Sequence, residues 1–290
     1  MKKAQMDYIK AMIITLTFLI IMLAFISLKL YPAIKESARL TTCKTSVETH
    51  AKAHAMKFDF SKNIECPTKE LVIKESDKTE IKTKLAKELA ECWEIFGKGK
   101  LDLFKNEAIY CAVCSRIDFK KDNIIINDFS EFLLTTDMPR KDITYADFLA
   151  GYSTPKAEKY AEDILSKSGN LPEIDTSKTY STLFIYAKGK DSISNLKDSV
   201  GGTANAVIIS GLTGGAAAGI GTAAVIFILG SNPVGWITAG AITVGTTVSA
   251  IYTYFAGEPP EWMALTLLTE YTEENLDKFN CEYLPVAQSE

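Results

Sequence analysis

Two residue patterns in this chain have the spacing of chemistry. Cys111 and Cys114 form a Cys-x-x-Cys pair, and His50 and His54, the only histidines, stand four apart. On a helix His50 and His54 share a face and could chelate a metal, with Cys43 two turns earlier as a soft third ligand. The ordinary alternative is a helix face that packs on a domain. A redox Cys-x-x-Cys usually sets its first thiol at a helix N-terminus, where the dipole lowers its pKa. Here the pair lies inside residues 108–119, a run of β-branched and aromatic residues that reads as a strand. Residues three apart on a strand point to opposite faces, so these two are not expected to bridge each other. Each would reach a different partner among Cys43, Cys66, Cys92 and Cys281. Six cysteines allow 15 connectivities, and the spacing does not choose among them.

Little else resembles a reaction centre. There is no HExxH, GxSxG elbow, Ser–His–Asp signature or phosphate loop. Gly97-Lys98-Gly99-Lys100 is too short and wrongly placed to cradle a nucleotide. Lys100, Asp102 and Glu107 are close in sequence, and a solvated loop accounts for them. No catalytic residue and no cofactor site is expected. The net charge of −4 gives no electrostatic support for nucleic-acid binding.

The elements that would position these residues are legible in part. Residues 33–55 contain no Gly or Pro and continue an N-terminal helix, with Cys43, Val47, His50 and His54 on one face. Residues 70–74 read as a short strand. Residues 78–97 read as a helix with the stripe Ile81, Leu85, Leu89, Cys92, Trp93 and Phe96, closed by Gly97 and Gly99. Cys92 lies on that stripe, so its partner should come from the core. Short helices are expected at 129–136 and 143–150, a longer one at 155–168, a strand at 179–188, and a last helix at 261–279. Cys281 would tie the tail back.

The largest pattern is apolar. Residues 199–257 hold no Asp, Glu, Lys or Arg, and 12 of the 17 glycines. About 20 apolar residues cross a hydrocarbon core, so this stretch reads as two membrane-spanning helices joined at Ser231-Asn232-Pro233. Gly211, Gly215 and Gly219 recur every four residues and would line a helix-packing seam, within the hairpin or between copies. Residues 11–28 read as a third span. Lys2, Lys3 and Lys10 ahead of it place the N-terminus in the cytoplasm. The expected fold is an α+β ectodomain with a long N-terminal helix, anchored by three transmembrane helices. Its parts are an anchor (1–30), a disulfide-stapled ectodomain (31–198), the hairpin (199–257) and a C-terminal helix and tail (258–290). The expected location is a multi-pass cell-membrane protein whose ectodomain and C-terminus are extracytoplasmic, where disulfides persist.

Two resemblances sit on these residues. Lys2-Lys3-Ala4-Gln5 before an apolar helix resembles archaeal type IV pilin-like precursors, which are cut ahead of Gln; Ile9 stands where that pattern has Glu. Cys66-Pro67, Cys92-Trp93, Phe96-Gly97, the run from Gly99 to Phe104, and Cys111-Ala112-Val113-Cys114-Ser115 together resemble an uncharacterised family of membrane proteins from small archaeal genomes. That resemblance implies a topology and no activity.

The function expected is a membrane-anchored cell-surface structural or interaction protein without enzymatic activity, meeting the lipid bilayer and an extracytoplasmic protein. The first alternative is a membrane-active, pore-forming assembly built through the Gly211-Gly215-Gly219 face. The second is an extracytoplasmic enzyme.

Overall fold

The structure, a computed structural model, describes residues 2–56, 64–150, 173–202, 207–211, 224–228, 240–242, 262–277 and 279–284. It opens with α1 (Lys2–Phe25), a π-helical turn (Ile26–Leu30) and α2 (Tyr31–Ala55) in one run. Pro32 has no N–H to give the preceding turn, and the helix widens to π spacing just ahead of it. α2 buries Cys43, Val47 and Ala51, a stripe at four-residue spacing.

The body is α+β. One mixed sheet runs in the order β1 (Lys69–Ile73), β2 (Ile109–Phe119), β5 (Tyr180–Lys188), β9 (Trp262–Glu270), β6 (Val207–Gly211), β7 (Ala224–Ile228), β8 (Gly240–Ile242). β1 and the two-residue β10 (Glu282–Tyr283) both pair parallel with β2; the other pairs are antiparallel. β3 (Ile125–Ile126) and β4 (Ile174–Asp175) form a separate small ladder.

α3 (Lys78–Ile95) packs across this sheet. Asp77 caps it, its Oδ1 accepting from the Glu80 N–H at 2.9 Å. Its stripe carries Trp93 onto β5, and Phe96, at its C-terminal cap, stacks on Phe184 with ring centroids 4.0 Å apart. Gly97, Lys98 and Gly99 then take left-handed backbone in succession, which turns the chain sharply into the 100–107 loop. α4 (Phe129–Thr135) and α5 (Tyr145–Ala150) follow, and α6 (Lys190–Gly202) packs on β5 and β2 through Ile193 and Leu196. A short α7 (Glu273–Asp277) precedes the tail. Every residue of β5 and all of β9 but Glu270 are buried, so both faces of the central strands are covered.

Three expectations are corrected. The first concerns the membrane. Among the described residues no helix is long and apolar enough to cross one, so three transmembrane helices and a multi-pass location are not supported. At α1 the apolar band from Met12 to Leu28 rises only about 25 Å, against a hydrocarbon core of about 30 Å. Second, the uncharged stretch is not a helical hairpin where it is described. α6 runs into it, and Val207–Gly211, Ala224–Ile228 and Gly240–Ile242 are strands that extend the sheet beyond β9. Runs such as Val-Ile-Ile and Ala-Val-Ile-Phe-Ile are β-branched and find open hydrogen-bonding partners on that edge. Gly211 ends a strand opposite Ala224, while Gly215, Gly219 and the Asn232-Pro233 turn lie outside the described residues. Third, the expected helix over 261–279 is the strand β9 followed by α7. The expected helix over 155–168 also lies outside the described residues.

Candidate functional site

All six cysteines are paired, as Cys43–Cys66, Cys92–Cys114 and Cys111–Cys281. The ladder register explains the last two. Cys111 stands opposite Ile185 on one face of the sheet, away from Tyr110 and Tyr186. Cys114, three residues on, faces the side that carries α3, and the register slip between Val113 and Ser115 marks a bulge there. Cys111 meets the tail on the other face. Each sulfur is consumed structurally, so the Cys-x-x-Cys spacing carries no thiol chemistry here.

The two histidines do not share a ligand set. The His50 ring packs on Phe104 with centroids 5.6 Å apart, and His54 Nδ1 lies 3.5 Å from Asp102 Oδ2. The Cys43 sulfur that would have joined them is bonded to Cys66. Among the described residues no group of three or more His, Cys, Asp or Glu side chains is placed to hold a metal.

One polar cluster gathers around Asp102. Lys188 Nζ donates to both of its oxygens, at 2.7 and 2.8 Å, and the Tyr186 hydroxyl donates to Oδ1 at 2.7 Å. Lys188 is the last residue of β5 and has only 10% of its side chain exposed, beneath the ring of Trp262. Trp262 Nε1 in turn donates to the Gly99 carbonyl. The Tyr186 hydroxyl also accepts from the Leu103 N–H at 3.4 Å. These contacts fasten the 100–107 loop and the end of α2 to the ends of β5 and β9. Phe104 and Tyr110 stack beside them at 3.8 Å. Of the charged trio close in sequence, Asp102 joins this cluster while Lys100 and Glu107 are exposed. The hydrogen-bond partners of Asp102, Tyr186 and Lys188, stand 84 and 86 residues away, which spacing could not reveal. The available signal was Lys188 itself, a cation ending an otherwise uncharged strand.

A second cluster joins α2, β1 and α3. Arg39 grips Glu36 with two hydrogen bonds of 3.0 Å and reaches Glu91 at 2.7 Å. Lys69 bonds Glu88 at 2.8 Å and Glu36 at 3.0 Å. The Arg39 hydrogen bond pulls the Glu36 carboxyl down to about 2, despite some burial and with help from Lys69. Burial dominates at Glu88 and pushes its carboxyl up, against the attraction of Lys69. Burial opposes the charge of Lys69 too, but Glu88, Glu91 and Glu36 outweigh it and raise its pKa.

Both clusters use their donors and acceptors on one another and hold elements together. The fold and its ties define a disulfide-stapled α+β protein carried on a long N-terminal helix. Comparison with protein-family models, with curated proteins and with solved structures finds no match.

Proposed function

We propose that this chain is a structural or interaction protein of an oxidising, extracytoplasmic compartment, without a reaction of its own. The observation that carries this reading is the layout of the three disulfides. One ties α2 to the segment before β1, one ties α3 to β2, and one ties the tail to the far face of β2. α2, α3 and the tail are thereby fastened covalently to the sheet or the segment leading into it, the usual device of proteins that keep their shape outside the reducing cytoplasm.

The N-terminal helix supports the interaction half of the reading. Large apolar side chains between Met12 and Leu28 are 43–74% exposed, on every face of the helix. A helix apolar all round works buried, so another surface covers this band in the working assembly. The stapled body is then what such an assembly displays.

Intact mass tests the compartment. The full chain, purified without reductant and alkylated, is expected to take up label at its six cysteines only after reduction. Labelling before reduction overturns the reading.

A further inference from the structure

Strand β1 lies at the end of the sheet, paired with β2 on one side only. The Ile73 carbonyl accepts from Lys120 N–H across that pair, so the backbone groups of Lys69, Leu71 and Ile73 face β2. By alternation those of Glu70 and Val72 face outward, and among the described residues no strand takes them. Val72 is 50% exposed, one of the few large apolar side chains bared among the described residues of the body. A bare apolar edge is a template for another strand.

The sequence along this edge, Lys69-Glu70-Leu71-Val72-Ile73-Lys74-Glu75, is complementary to itself when reversed. With Val72 opposite Val72 of a second copy, Glu70 falls opposite Lys74, Leu71 opposite Ile73, and Lys69 opposite Glu75. A shift of one residue destroys the match, setting Lys69 against Lys74 one way and Glu70 against Glu75 the other. Glu70, Val72 and Lys74 are all exposed and share one side of the strand, so the two Glu70–Lys74 pairs would flank the Val72 contact. Lys69 and Glu75 already hold partners within their own chain, Glu88 and Lys84. They add to the register without being needed for it.

We infer that β1 is a homodimerisation edge, on which a second copy of this chain adds its own β1 antiparallel, in the register that sets Val72 against Val72. Main-chain hydrogen bonds at Glu70 and Val72 hold the pair, and the charges select its register. The interface is isologous, as a two-fold axis through Val72 requires. It adds a partner to the interaction reading above but does not depend on the N-terminal helix or on the disulfides.

The test uses the full chain carrying Val72→Cys, mildly oxidised and mapped without reduction. Directly opposed residues in an antiparallel pair stand at about 5.5 Å between Cα atoms, within disulfide reach. The expected product is a dimer joined through the two introduced sulfurs, with the three native disulfides intact. Glu70→Lys should lower its yield several-fold, and Glu70→Lys with Lys74→Glu should restore it, because the swapped charges again match. Sedimentation of the same charge variants without the added cysteine reads the association independently, should the cysteine disturb folding. Absence of the covalent dimer, or a yield and sedimentation indifferent to both charge changes, overturns the inference and leaves β1 an edge blunted by its charges. Failure of the compartment reading shows instead as label taken up before reduction.

Discussion

Cys111 and Cys114, three positions apart on β2, leave the strand from opposite faces of the sheet. Cys114 bonds Cys92 on the helical side, and Cys111 bonds Cys281 on the other, closing separations of 22 and 170 residues. On the chain-entropy account, cross-linking the longer loop constrains the unfolded state more, roughly 5 against roughly 3 kcal/mol. Replacing both members of a pair by serine avoids a stray thiol. The Cys111/Cys281 double replacement should therefore lower the urea midpoint more than the Cys92/Cys114 one. An equal or smaller loss would show that the 170-residue loop is already constrained in the unfolded chain.

The Asp102–Lys188 pair should act as a unit. Asp102→Asn removes the carboxylate that the nearly buried Lys188 ammonium bonds through both oxygens, at an expected cost of roughly 2–3 kcal/mol. Lys188→Met removes the buried cation as well and should cost less. A double-mutant cycle in urea measures the coupling, and a value near zero would mean that solvent already satisfies Lys188.

Acid should weaken the join between α2 and the body. Glu36 has its folded pKa lowered to about 2, so its contribution is present above the ordinary carboxylate range and is lost as pH falls from about 4.5 toward 2. Glu88 is shifted the other way. Its raised pKa favours the folded state at low pH, and that gain is lost as pH rises through the folded value. The two oppose each other in acid. Stability measured against pH should thus fall more gently below about pH 4.5 in Glu36→Gln than in the unaltered chain. Parallel curves would remove Glu36 from the account.

Two glycines should resist substitution unequally. Gly97 has φ of +68°, and a Cβ there would stand 2.5 Å from Leu101 Cδ1; Gly189 has φ of +84°, and a Cβ would meet the Glu107 side chain at 2.5 Å. An alanine at either would carry the cost of left-handed backbone, about 1 kcal/mol each. Leu101 is packed against the core, whereas Glu107 is exposed and can swing aside. Gly97→Ala should lower the melting temperature more than Gly189→Ala, and the reverse order would contradict this packing.

Where local pattern and tertiary environment agree, residues alone were enough. The stripe of α3 and its glycine stop are set within a few turns of chain. The β-branched runs of β2 and β5 carry their own strand preference, and the opposite faces of Cys111 and Cys114 follow from the period of two. The choice of cysteine partners needed the fold, because a sulfur's partner is fixed by the packing of α3 and the tail on β2. The grouping of Asp102 with Tyr186 and Lys188 needed it for the same reason.

The apolar segments show the limit most clearly. Trp262 to Glu270 holds three Leu among other apolar residues, and its two threonines, Thr266 and Thr269, stand three apart rather than alternating, so nothing in its period separates helix from strand. It is a strand because it lies between β5 and β6 with both faces covered, and a strand buried on both sides reads as a continuous apolar run. The uncharged stretch before it looked like membrane for the same reason: hydropathy records that a segment avoids water, not what shelters it. Composition alone determined that residues 207–211 and 224–228 would shun solvent. Only the tertiary structure decided that they are strands, since β6 completes the hydrogen-bonding groups on the free edge of β9 and β7 then pairs with β6.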